Sequence, residues 1–201
     1  MNPANQDRRA LRERLLDVIE HEICPLTERG VRTGNKVFGA AVLRKSDWST
    51  VIAATNNETA NPLWHGEVHA IKLVYELPAD ERPAPADCLF LATHEPCTLC
   101  LSAIAWGGYD NFYYLFSHED SRDAFQIGHD LKILDALFGL GPGEYRRRNA
   151  YFSGHSIREM GDGSVPDQAA FQARFERLRA LYSGFSDTYQ GCKDPGLIPL
   201  N

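Results

Sequence analysis

His65-Gly66-Glu67 and, further along, Pro96-Cys97-Thr98-Leu99-Cys100 put one imidazole, two thiols and one carboxylate into two short segments. One His and two Cys make three soft or borderline donors, which suits a tetrahedral zinc ion with its fourth position open to water. Glu67 stands two residues from the proposed ligand His65, poorly placed to be a fourth ligand on the same face. It is placed instead to move protons beside the metal. The chemistry such a set supports is hydrolytic: zinc brings water into nucleophilic range near neutral pH, and the carboxylate accepts and returns protons.

Each piece also has a duller reading. Cys-x-x-Cys alone describes a redox pair, or half of a structural zinc site. A redox pair wants a thioredoxin-like context. A structural site wants a fourth protein ligand, and His69, one helical turn after His65, is the obvious candidate. Glu67 alone could be an acidic residue favoured in a first helical turn by the helix dipole. Taken together, the spaced ligands and the carboxylate favour a catalytic centre.

The elements that must position these residues follow from periodicity and punctuation. Leu11, Leu15, Val18, Ile19 and Ile23 recur at helical spacing over residues 7–24, and Pro25 is expected to stop that helix. Val37 to Leu43 reads as a buried strand, Ser46-Asp47-Trp48 as a turn, and Thr50 to Ala54 as a second strand. After a polar loop from Asn56 to Leu63, Val68, Ile71, Leu73 and Val74 restore helical spacing over residues 65–77. Cys88 to Ala92 is a third strand, Cys97 to Trp106 a second motif-bearing helix, and Asn111 to Phe116 an aromatic strand. This alternation predicts an α/β fold with helices on the sheet faces. Both motifs then open helices, where backbone N–H groups and the dipole favour anionic thiolates. Beyond Phe116, residues 121–138 look helical in part, 139–143 form a glycine-rich loop, and Pro166 to Tyr182 reads as a last helix. The stretch from Gly191 to Asn201 is expected to be an ordered tail or a partner-contacting arm.

Length and charge narrow the options. The 201 residues are expected to form one domain (1–201), with 37–116 as its motif core and 117–201 as a helical C-terminal part. A net charge of −6 argues against nucleic acid as a partner, because phosphates need a basic footprint. Arg146-Arg147-Arg148 is the one dense basic run and reads as a solvated face. Residues 1–9 carry no apolar signal core and no apolar run is long enough to span a membrane, so a cytoplasmic location is expected. There Cys97 and Cys100 would stay reduced, and Cys24, Cys88 and Cys192 would be buried small residues.

The motifs resemble those of the cytidine-deaminase-like superfamily, and within it the free-base and nucleoside deaminases. His65-Gly66-Glu67-Val68-His69-Ala70-Ile71 is similar to that family's His-Ala-Glu-Val-x-Ala-Ile. Glu95 to Ile104 is similar to its Glu-Pro-Cys-x-Met-Cys-x-x-Ala-Ile. Residues 37–43 are similar to its first hairpin, with Val37 where proline is usual. The resemblance covers residues 37–116. It implies a three-layer α/β/α fold with a central mixed sheet, Zn2+ held by His65, Cys97 and Cys100, and Glu67 as the catalytic proton shuttle. It also implies an Asn that contacts the substrate: Asn56 by position, or its neighbour Asn57, although turn chemistry explains both equally well. Gly66, which stands where the family more often has Ala, is a further candidate for substrate contact. His-Gly-Glu is shared with fungal-type cytosine deaminases, whereas the extended length and the Ala-Ile after the motif look more like bacterial guanine deaminases. Trp64 and His94 flank the motifs and are candidates for the pocket wall, each with a structural role as its alternative. Phe125, His129 and Asp130 lie where pocket closure is expected, and Phe152 and Tyr189 are candidates for a closing segment.

The resemblance therefore implies hydrolytic deamination of a small aminated heterocycle, with water as co-substrate, in a homodimer. A guanine- or cytosine-like free base is the expected substrate. The alternatives are a tRNA or RNA adenosine deaminase, a nucleoside deaminase and a non-catalytic zinc scaffold, the last disfavoured by the presence of Glu67.

Overall fold

The computed structural model describes residues 3–194 and 196–200. Its centre is a five-stranded mixed sheet: β1 (Gly39–Arg44), β2 (Thr50–Thr55), β3 (Cys88–His94), β4 (Asn111–Phe116) and β5 (Ser153–Ser156), in the order β2-β1-β3-β4-β5. β1 pairs antiparallel with both β2 and β3, whereas β3, β4 and β5 run parallel. Period-two alternation sends side chains to two separate cores. Ala41, Leu43, Leu89, Leu91 and Leu115 face one side, where they meet α1 (Pro3–Asp17), α2 (Cys24–Val31) and α7 (Val165–Cys192). Ala40, Val42, Phe90, Phe112 and Tyr114 face the other, under α3 (Gly66–Glu76) and α4 (Thr98–Trp106). The expected three-layer α/β/α fold is the observed one.

Three boundaries differ from the sequence reading, each for a physical reason. Pro25 does not end the first helix. A π turn over Val18–Ile23 widens the spiral, the Cys24 N–H reaches Ile19 O, and Pro25 falls in the first turn of α2, where its missing N–H costs nothing. The last helix runs past Tyr182 to Cys192, capped at its start by Ser164, whose hydroxyl accepts from Asp167 N. β5 was not expected, and it extends the sheet beyond β4. Cys192, expected to be buried, is exposed, whereas Cys24 and Cys88 are buried.

The glycine at 66 is explained by packing. A Cβ there would lie 2.6 Å from Phe38 O and 2.9 Å from Phe38 C, so the first turn of α3 rests directly on the backbone entering β1. That close approach fixes where the His65 end of α3 stands relative to the sheet.

Candidate metal centre and its cavity

His65 is the N-cap of α3, and Cys97 is the N-cap of α4. The two helices lie side by side on the same sheet face, so their N-terminal ends meet. His65 Nδ1 is 3.4 Å from Cys97 Sγ and 3.7 Å from Cys100 Sγ, and the two sulfurs are 3.7 Å apart. A tetrahedral ion with bonds of about 2.3 Å to sulfur holds two sulfurs about 3.8 Å apart, and a nitrogen and a sulfur about 3.5 Å apart. The three donors therefore already stand on the edges of a zinc tetrahedron, and they are the one such cluster among the described residues. The donor set and its spacing fit Zn2+.

Glu67 occupies the first turn of α3, buried, and its Oε2 accepts from Cys100 Sγ at 3.2 Å. Burial, and then the charge of Cys97, push its carboxyl up to about 7. Burial pulls the His65 imidazole down, but hydrogen bonding and charge at Cys97 outweigh it and carry the ring to about 9. His65, Cys97 and Cys100 must all give up protons to hold a cation, so metal binding here releases protons.

The centre opens into a cavity of about 340 Å³. Lys36, Glu58, His65, Cys97, His129 and Asp130 supply its polar lining. Leu63, Leu99, Ile133 and the C-terminal stretch Ile198-Pro199-Leu200 give it apolar walls. Few polar groups in an apolar cleft is the usual make-up of a small-molecule site. Asp130, in the first turn of α6 (His129–Phe138), which follows the short α5 (His118–Asp123), is pushed up to about 7 by burial and by Cys97. The C-terminal tail thus forms part of the cavity wall.

Several sequence candidates lie elsewhere. Asn56 is buried behind the wall rather than in it. Its Oδ1 accepts from Glu58 N and Lys36 N, and its Nδ2 donates to Glu58 Oε2 at 2.6 Å. Asn57 and Gly66 are not in the wall either, Gly66 resting instead on the Phe38–Gly39 backbone. Trp64 stacks on His69, with Lys72 over its outer face, and lines no part of the cavity. His69 Nδ1 is 2.8 Å from Thr55 O, and the ring is not one of the three donors that come together as a possible metal cluster. His94 is packed among Phe38, Phe116, Phe125 and Tyr182, and burial pulls it down to about 3. Phe125 and Phe152 are core residues, and Tyr189 lies outside the cavity lining. Of the closure candidates, only His129 and Asp130 reach the wall. Lys36 and Glu58 carried no motif signal. They flank the β1–β2 hairpin, and only the antiparallel pairing of Gly39 with Thr55 brings them together.

Residues 19–116 match the family model of the cytidine and deoxycytidylate deaminase zinc-binding region. Just under half of the chain thus resembles a deaminase-type zinc-binding region. Over 89 residues the chain is 30% identical to guanine deaminase from Bacillus subtilis (strain 168), a match that takes in 43% of this chain and 54% of that protein. The chain thus spans about half the length of this curated relative. A solved structure of guanine deaminase from Nitrosomonas europaea aligns over 93% of this chain and 94% of its own, with a TM-score of 0.53 at 17% identity. A crystal structure of a variant protein in complex with 8-azaguanine aligns over 82% of each chain, with a TM-score of 0.52 at 17% identity. At that identity the two structures attest the shared fold.

Proposed function

We propose that this protein is a hydrolytic deaminase of a small aminated heterocycle, most readily a free nucleobase of the guanine or cytosine kind. The observation that carries the reading is the His65–Cys97–Cys100 cluster with Glu67 beside it, opening into a cavity sized for a small ring. Zinc at that cluster supplies Lewis acidity that makes water a nucleophile near neutral pH. Glu67 would take one proton from the attacking water and give it to a ring nitrogen, then take the remaining proton of the added hydroxyl and deliver it to the departing amine, which leaves as ammonia. The ring lies between Leu63, Leu99 and Ile133, and Asp130 faces it as a hydrogen-bond partner for ring or exocyclic N–H groups. The 30% identity to a guanine deaminase favours a purine.

An RNA substrate is disfavoured by the net charge of −6 and by a cavity walled with the chain's own tail. Homodimerisation belongs to the same proposal. Trp106, Leu137, Phe138 and Tyr151 are large exposed apolar side chains that a second copy would cover.

The test is ammonia release from guanine, cytosine, adenine, their nucleosides, and aminated triazines and pterins, by zinc-loaded protein and by Glu67→Gln in parallel. Turnover of one free base, reduced about 100-fold or more in a variant that keeps its zinc, supports the proposal. Zinc-loaded protein that turns over none of these compounds overturns it.

A further inference from the structure

The cavity wall contains an ion pair that the proposed reaction leaves without a task. Lys36 Nζ is 2.9 Å from Glu58 Oε1, with side chains 5% and 3% exposed. A buried pair of this kind contributes little net stability, since apolar residues of similar volume often do as well. Its charges call for a further explanation, and what they face supplies one. Glu58 Oε1 also lies 3.6 Å from His65 Nε2, on the side of the ring opposite the cysteines. The other ring nitrogen, Nδ1, faces the two sulfurs. The two nitrogens of His65 are thus divided between a metal cluster and a carboxylate.

Glu58 is itself tightly held. Oε2 accepts from Asn56 Nδ2, its backbone N–H donates to Asn56 Oδ1, and that same oxygen accepts from Lys36 N. Asn56 leaves the end of β2 and Lys36 precedes β1, so the antiparallel hairpin anchors the group at one end of the sheet.

We infer that Glu58, held by Lys36 and Asn56, is a positioning residue for His65. It keeps the imidazole turned with Nδ1 towards the metal and favours the tautomer with the proton on Nε2. A carboxylate facing Nε2–H stabilises that tautomer, leaves the Nδ1 lone pair free to ligate, and raises its donor strength. Lys36 keeps the carboxylate from swinging into the cavity. Asn56 then acts through Glu58. The inference rests on the zinc assignment but not on the identity of any substrate, so it stands or falls separately from deamination.

The test is zinc affinity of the full chain by competition with a chromogenic chelator, comparing wild type with Glu58→Gln and with the double variant Lys36→Met/Glu58→Gln. Glu58→Gln leaves Lys36 buried and unpaired and could fail to fold. The double variant removes both charges and keeps the volume. The expected result is zinc binding weakened about 10–100-fold in the double variant, with shifted absorption bands when Co2+ replaces zinc. Its metal-free melting temperature should match that of metal-free wild type. A merely structural pair would move the melting temperature and leave the Co2+ spectrum alone. Zinc affinity within threefold of wild type, with an unchanged Co2+ spectrum, overturns the inference.

Discussion

Arg147 Nη2 lies 3.0 Å from Oε1 of Glu95, a carboxylate that is wholly buried two residues before Cys97. Arg147 Nε and Tyr145 Oη donate to the same oxygen at 3.1 and 2.9 Å, while Oε2 accepts from His118 N. His118 in turn places Nε2 3.2 Å from Pro96 O. A segment near residue 147 therefore clamps the turn that carries the metal-binding cysteines. The run Arg146-Arg147-Arg148 reads as a solvated face in sequence, yet its middle member is half-buried while both neighbours are exposed. Arg147→Met leaves a buried carboxylate with one charge-assisted partner fewer. It should lower unfolding free energy by about 1.5–3 kcal/mol. Arg146→Ala and Arg148→Ala should stay within about 0.5 kcal/mol. Urea denaturation of the three variants decides; three similar values would show that the Glu95 clamp does nothing for stability.

Gly66→Ala sets two effects against each other. Ala is the better helix former by about 1 kcal/mol. Against that, its Cβ would lie 2.6 Å from Phe38 O and 3.0 Å from Gly39 Cα, and both neighbours are backbone of the sheet entry. Overpacking of this kind costs about 1–3 kcal/mol. The packing term outweighs propensity, so the variant should be less stable than wild type. It should also bind zinc more weakly, because the displaced turn carries His65. A melting temperature equal to or above that of wild type would contradict this account.

How much could be read in advance depended on whether a residue's task was local. His65, Glu67, Cys97 and Cys100 sit in two contiguous motifs, so their types and spacing announced the cluster that the fold assembles. The first four strands and both motif helices were legible because each carries an apolar pattern. β5 was not: Ser153-Gly154-His155-Ser156 has no apolar alternation, and it pairs with β4 with Gly154 against the Phe112 ring. The cavity wall was legible only in part, since His129 and Asp130 stood where closure was expected while the rest carried no local signal. Lys36, Glu58, Asp130 and Ile198 come from four separate parts of the chain and meet only in three dimensions. Asn56 was reached by position, and its side chain meets Glu58 through both amide atoms, a partnership that sequence spacing could not show.

Acid should loosen the contact between the first and last long helices. Asp167, in the first turn of α7, accepts from Arg12 Nη1 at 2.9 Å, and both side chains are almost fully buried. Hydrogen bonding to Arg12 holds the Asp167 carboxyl below the usual carboxylate range. A depressed folded-state value means the stabilisation is present above the unfolded value of about 3.9 and is lost as pH falls through the lower folded one. The stability of Asp167→Asn should therefore fall less steeply than that of wild type below about pH 4, while being lower at neutral pH. Parallel slopes in that window for the two proteins would remove Asp167 from the acid response.

Metal content should follow the geometry of the cysteines rather than their number. The chain has five cysteines and no disulfide among those described, but only Cys97 and Cys100 stand within reach of His65. Cys100→Ala removes one vertex of the tetrahedron and should abolish stoichiometric zinc. Since binding to the folded state alone stabilises by mass action, the melting temperature of this variant should also lose its dependence on added zinc. Cys192→Ala alters an exposed thiol at the end of α7 and should retain one zinc per chain and the wild-type response. Zinc analysis by plasma emission, with melting curves at several free zinc concentrations, makes the comparison. One zinc per chain in Cys100→Ala would mean that the ion is held by other ligands, and it would remove the basis for placing Glu67 beside it.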